Sequence, residues 1–167
     1  FHGVTTLDRI VTRVMALQPD LVLLAGDFVI QGVVGGRFVE PEVTAERLKR
    51  LTAPLGVFAV LGNHDWWHGG PSIRQTFEQH GIPVLEDTAV PLHHGQCRFW
   101  LAGISDYRES RHDVAQALWP IPTDQAVLAL THNPDVFPDV PSHVTLTIAG
   151  HTHGGQVYIP FVGRLIV

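Results

Sequence analysis

Four short apolar runs in this chain each end directly in a polar cluster, and that arrangement is the strongest constraint on its fold. Asp20-Leu21-Val22-Leu23-Leu24-Ala25 leads into Gly26-Asp27. Val57-Phe58-Ala59-Val60-Leu61 leads into Gly62-Asn63-His64-Asp65. Ala126-Val127-Leu128-Ala129-Leu130 leads into Thr131-His132-Asn133, and Val144-Thr145-Leu146-Thr147-Ile148-Ala149 into Gly150-His151-Thr152-His153. Runs this short, the first three nearly continuous in apolar residues and the fourth interrupted by two threonines, read as buried strands. Polar groups at strand C-termini are where open α/β sheets place their sites.

Between these runs the spacing turns helical. Thr5-Thr6-Leu7-Asp8 reads as a helix start, followed by Leu7, Ile10, Val11, Val14 and Leu17 at helical intervals and a stop at Pro19. Residues 31–41 are glycine-rich and read as a long shaped loop. Residues 42–52 read as a helix, and Pro71 opens another that Gly81 closes. Val84-Leu85, Ala89–Leu92 and Phe99–Gly103, around a His93-His94-Gly95-Gln96 turn, read as a hairpin, and residues 110–118 as a short helix. The fold class is therefore α/β, with helices over mostly buried strands.

Length and charge narrow the function. The 167 residues suit one domain over 1–167 with a sizeable core. The first element is a helix with no strand before it and the last residues are abruptly apolar, so a chain truncated at both ends is expected. A net charge of −5 without a basic stripe argues against nucleic-acid binding. The single cysteine, Cys97, excludes an internal disulfide and any cysteine-rich zinc site, and is read as a packing residue. No apolar run reaches the length of a membrane span. A cytoplasmic or peripheral-membrane location is favoured.

Among their side chains the clusters offer the Asp27 carboxylate, the Asn63 amide oxygen and four imidazoles, a donor set for divalent or trivalent metal ions rather than a lone structural zinc. Each has an ordinary reading when taken alone. Asp27 is then a turn or cap residue, Asn63 a turn residue, and His151-x-His153 a pair of surface histidines. Asp65 beside His64 can fix the tautomer of the ring and raise its basicity, which suits a general acid. Histidines at i and i+2 share a side in an extended segment; after a tight turn they can instead reach two neighbouring metals. Trp66, Trp67 and His68 either wall a substrate pocket or pack on the next helix, and Arg37 either meets a phosphate or is solvated. His80, His112 and His143 read as structural, and His93 and His94 as exposed turn residues.

In order, the clusters read G-D, G-N-H-D, H and G-H-x-H. This resembles the calcineurin-like metallophosphoesterase superfamily, whose pattern is D-x-H, G-D, G-N-H-[D/E], H and G-H-x-H. The ending His151-Thr152-His153-Gly154-Gly155-Gln156 is similar to the branch of YkuE- and YaeI-like phosphodiesterases. The resemblance implies a metallophosphoesterase-type β-sandwich flanked by helices, and a metal-dependent phosphodiesterase or diphosphatase. It implies two divalent or trivalent ions (Mn, Fe, Zn or Mg), and a phosphoester, diphosphate or lipid-linked substrate, with a membrane surface as a possible partner. Asp27 would bridge the ions; Asn63, His132 and His151 would complete one, and His153 would serve the other. A bridging hydroxide would attack phosphorus, His64 would protonate the leaving group, and Asp65 would orient His64. The D-x-H block is not found in this sequence; it is expected a few residues upstream, or split with His2 as its histidine, so this stretch is expected to bind the second ion weakly and to be poorly active. The alternative to an enzyme is a non-catalytic metal-binding scaffold on the same fold.

Overall fold

The computed structural model describes residues 3–30 and 38–153, and the backbone of 158–159 and 163–164. Arg37, most of the glycine-rich loop and His2 lie outside the described residues. Helix α1 (Val4–Ala16) is capped by the Gly3 backbone rather than a hydroxyl, so Thr5 and Thr6 sit inside its first turn. Val11 is buried in the core, and Leu7, Val14 and Met15 pack beside it. Ile10 and Leu17, on the same sequence period, stay half or mostly exposed, because the apolar stripe is wider than the surface it covers.

Strand β1 (Val22–Leu24) runs parallel to β2 (Val57–Ala59), and Val84 bridges to Ala59 in parallel on the far side. Helix α2 (Pro41–Leu48) joins them. Pro41 stands in its first turn, where a missing N–H costs nothing. Asp8 of α1 pairs with Arg47 and Arg50 and ties the two helices together. Val11, Val22, Ala45, Leu48, Ala59 and Phe77 form the core on this side.

Helix α3 (Asn63–Gln79) begins eight residues before the expected Pro71 start, so the G-N-H-D cluster is its first turn. The reason is local. Asp65, at the third helical position, accepts the Gly62 N–H at 2.9 Å and closes that turn. Non-helical Gly69, with φ 129°, then kinks the helix, and Pro71 restarts it.

The second sheet has the order β3-β4-β5-β6. Strands β3 (Thr88–His94) and β4 (Cys97–Ile104) form the expected hairpin. Its turn is tighter than expected, since His93 and His94 pair with Arg98 and Cys97 inside the ladder. Cys97 is exposed and free rather than packed. Helix α4 (Val114–Leu118) crosses to β5 (Ala126–Thr131), and a 3-10 turn (Pro134–Asp139) leads on to β6 (Leu146–Ala149). β4, β5 and β6 are mutually parallel. Beyond them β7 (Tyr158–Ile159) and β8 (Gly163–Arg164) make a small antiparallel pair.

Leu23, Phe58 and Val60 of the first sheet pack on Leu92, Leu101, Leu130 and Ile148 of the second, so the two sheets form a sandwich with helices outside. Ile104 pairs with Thr131, and Thr131 with Ala149. The three parallel strands therefore end level, and the loops beyond them all emerge at one edge.

Candidate metal centre

The centre is built where the C-terminal edges of the two sheets face each other. Asp27 follows β1 in a left-handed backbone conformation (φ 59°), and His151 follows β6 in another (φ 65°). Non-glycine residues adopt this region rarely, Asp and His more often than most, and such backbone concentrates at functional sites. Asp65 holds the Asp27 turn. Its carboxylate accepts the N–H groups of Asp27 (2.8 Å), Phe28 (2.8 Å) and Val29 (3.1 Å) in addition to that of Gly62. Burial pushes the Asp65 pKa up to about 6, with the Asp27 charge adding to it and the N–H groups of Gly62, Val29 and Phe28 pulling the other way.

Gly26 and Gly62 let the two loops meet. A Cβ on Gly62 would lie 2.2 Å from Asp27 Oδ1, and one on Gly26 (φ +87°) would lie 2.5 Å from the Gly62 nitrogen. Only glycine permits that approach. Asp27 Oδ1 then accepts the His64 backbone N–H at 3.1 Å.

Around the buried His132 ring the donors converge. Its Nδ1 lies 2.6 Å from the Ala25 carbonyl oxygen, a contact that only a ring N–H satisfies. In the neutral ring that leaves a lone pair on Nε2. This atom faces Asn63 Oδ1 at 3.2 Å, His151 Nδ1 at 3.1 Å and Asp27 Oδ2 at 3.4 Å. With both rings neutral and these nitrogens unprotonated, a single cation among the four atoms would meet all of their lone pairs. Asp27, His132 and His151 each offer a ligand atom, all within 4.8 Å of one another. A carboxylate, an amide oxygen and two imidazoles suit divalent transition metals, so the residues fit the ion that their chemistry implies.

The electrostatics agree. Burial works against ionisation of Asp27, but the hydrogen bond and charge of His132 hold its pKa below the ordinary value. Burial likewise disfavours charge on His132, yet Asp27 keeps that ring above the usual histidine value. His151 is pushed down, by burial first and then by His132. Asp27 is thus held anionic and His151 readily neutral, as metal ligands must be, whereas His132 without a cation is drawn toward the protonated ring by Asp27, so a metal ion there must displace a proton from Nε2.

The remaining candidates divide. His64 lies outside the three-residue cluster, its ring edge-on to exposed Trp67 with centroids 4.7 Å apart. The expected pairing of Asp65 with the His64 ring is not formed. The Asp65 carboxylate is taken up by four backbone N–H groups, and His64 Nδ1 is buried with no hydrogen-bond partner among the described residues. His153, left-handed at φ 51° and exposed, lies outside the three-residue cluster. Trp66 packs against the first core while Trp67 remains open, so the two tryptophans separate the two readings of that segment. Sequence reading passed over Asp106, a fully buried acid two residues beyond β4. It follows an apolar strand as the other clusters do, which was the available signal. It also passed over Glu86, which accepts the Leu61 N–H at 2.9 Å and whose burial raises its pKa to about 7.

A two-sheet sandwich that gathers mixed oxygen and nitrogen donors at its strand ends defines an α/β protein with a candidate metal-binding group. The profile of the calcineurin-like phosphoesterase family matches residues 2–155, and the chain belongs to that family. It is 31% identical over 156 residues to an uncharacterized metallophosphoesterase of Aquifex aeolicus, covering 90% of this chain and 56% of that protein. It is 33% identical over 161 residues to the phosphodiesterase YaeI of Escherichia coli, covering 88% and 53%. It is 27% identical over 207 residues to the UDP-2,3-diacylglucosamine pyrophosphatase LpxG of Chlamydia trachomatis, covering 93% and 60%. The chain thus spans little more than half the length of these relatives. In fold it is similar to the NAD nucleotidase NadN of Haemophilus influenzae, with a TM-score of 0.56 at 16% identity, covering 92% of this chain and 36% of that one.

Proposed function

We propose that this chain forms the metal-binding core of a phosphoric ester hydrolase acting on diesters or diphosphates. The convergence of Asp27, Asn63 and His151 on His132 Nε2 carries the reading. These four residues would hold one ion, and Asp27 together with His153 would contribute to a second. When bound, the ions supply activated water and neutralise charge on the phosphate.

The chain's own residues do the rest. His64 lies outside the ligand group, and its ring would give a proton to the leaving oxygen. Its backbone N–H fixes Asp27 Oδ1, which leaves Oδ2 turned toward His132. Asp65 is a positioning residue that acts through the backbone of 27–29 and 62 rather than through the imidazole. Trp67, exposed on the His64 side of α3, offers an aromatic face to the leaving group of the substrate. A cavity of about 400 Å³ beside Asp27, lined largely by apolar residues of α1 and β1, can take an apolar part of the substrate. A lipid-linked diphosphate has that chemistry, and the LpxG relative is named for such a substrate. Among the described residues no helix is long and apolar enough to cross a membrane.

The test is manganese-dependent hydrolysis of bis(p-nitrophenyl) phosphate, with Asp27→Ala as control. Turnover that the substitution abolishes supports the reading. Metal binding without turnover on that diester or on a UDP-linked diphosphate would favour a metal-binding scaffold instead.

A further inference from the structure

Asp106 is fully buried, and half of its carboxylate is unused. Oδ1 accepts the N–H groups of Arg108 (3.0 Å) and Glu109 (2.9 Å) and so closes the turn after β4. Oδ2 has no partner among the described residues. The nearest cation in its own turn, Arg108, turns instead to Asp135 at 3.2 Å. A buried carboxylate oxygen with neither a donor nor a counter-ion is costly, and its persistence calls for a partner of positive charge.

Strand register says where that partner sits. Ile104, Thr131 and Ala149 are paired across β4, β5 and β6, so two residues further on Asp106, Asn133 and His151 leave the sheet at the same level. The acid therefore stands at the edge that carries His132 and His151. It lies outside the group whose ligand atoms come within 4.8 Å, so it flanks the ligands rather than joining them.

We propose that Asp106 is a further positioning residue of the metal centre, its buried Oδ2 supplying the second negative charge that draws a divalent cation onto Asp27, His132 and His151. The ligands alone carry one negative charge against a doubly charged ion, and a flanking carboxylate brings the site to balance. The inference rests on the metal-centre reading above.

Calorimetric titration of the metal-free protein with MnCl2, and separately with ZnCl2, tests it in the wild type, Asp106→Asn and Asp106→Glu. The asparagine keeps an oxygen for the turn and removes the charge. Its metal Kd is expected to rise about 10- to 100-fold, with the metal-free Tm unchanged or higher and with affinity recovered in the glutamate variant. A Kd equal to wild type, or a loss confined to the metal-free Tm, overturns the proposal and assigns Asp106 to the turn alone. If the asparagine variant does not fold by circular dichroism, Asp106→Ser, which also retains a turn oxygen, is read by the same criterion. Wild type that binds neither metal overturns the proposed function together with this inference. Wild type that binds while Asp106→Asn binds equally well overturns this inference only.

Discussion

Asp65 Oδ2 accepts the backbone N–H of Asp27 at 2.8 Å across 38 positions of sequence. The first turn of α3 thereby sets the conformation of the loop after β1. Asn63 and Asp65 lie on one helical turn, so a single element both contributes a donor to the cluster and fixes the loop that carries another.

Replacing Asp65 by Asn tests this link. The amide offers one accepting oxygen where four N–H groups now converge, and its NH2 opposes the rest. Hydrogen bonds to a charged group are worth roughly 1.5–3 kcal/mol each, and part of the network survives. The variant should lose on the order of 2–4 kcal/mol in urea unfolding and bind manganese more weakly. An unchanged midpoint would refute the network's role.

Gly62→Ala is expected to be disabling although it adds one methyl. The new Cβ would lie 2.2 Å from Asp27 Oδ1 and 2.8 Å from His132 Cε1. Both loops must retreat, at about 1–3 kcal/mol for an overpacked site. Calorimetry should show the loss of tight metal binding, with circular dichroism showing the fold retained.

His64→Ala separates chemistry from binding. The ring stands outside the cluster, and its backbone N–H to Asp27 remains. A positioned acid contributes about 10²- to 10⁴-fold. The diester kcat should fall by that amount while the manganese Kd stays within a factor of about two. A parallel collapse of metal affinity would show that His64 acts on the ligands instead.

Glu86 predicts a pH dependence of stability. Burial raises its carboxyl to about 7 from an ordinary value of 4.5, so the folded chain keeps a proton that the unfolded chain releases between those values. Stability from this group is full below about pH 4.5 and is lost as pH rises to about 7, by up to roughly 3 kcal/mol, with no further change above. Glu86→Gln should remove that slope. The difference in unfolding free energy between variant and wild type should grow in the variant's favour from pH 4.5 to 7. A difference that does not vary with pH would refute the assignment.

Local pattern made much of this legible. The runs before Asp27, Asn63, His132 and His151 became parallel strands, with apolar residues such as Leu23, Phe58, Leu130 and Ile148 turned into the core between the sheets, although Leu146 of the last stays half exposed. Boundaries were less readable. α3 starts at Asn63 rather than Pro71 because its cap is the Asp65 carboxylate on the Gly62 N–H, a pairing that looks like loop chemistry until the turn is closed.

Sequence by itself determined the α/β class, the placing of polar residues after buried strands, and the donor types that suit a divalent metal, since these come from periodicity and side-chain chemistry. Tertiary structure alone decided which atoms meet. It turned Asp65 from His64 to the backbone of 27–29, set His132 Nε2 against Asp27, Asn63 and His151, and left Asp106 Oδ2 buried without a partner among the described residues. The physical reason is that hydrogen bonds and charges act over a few ångströms, and separations of 19 to 107 residues shrink to that distance only when the two sheets pack.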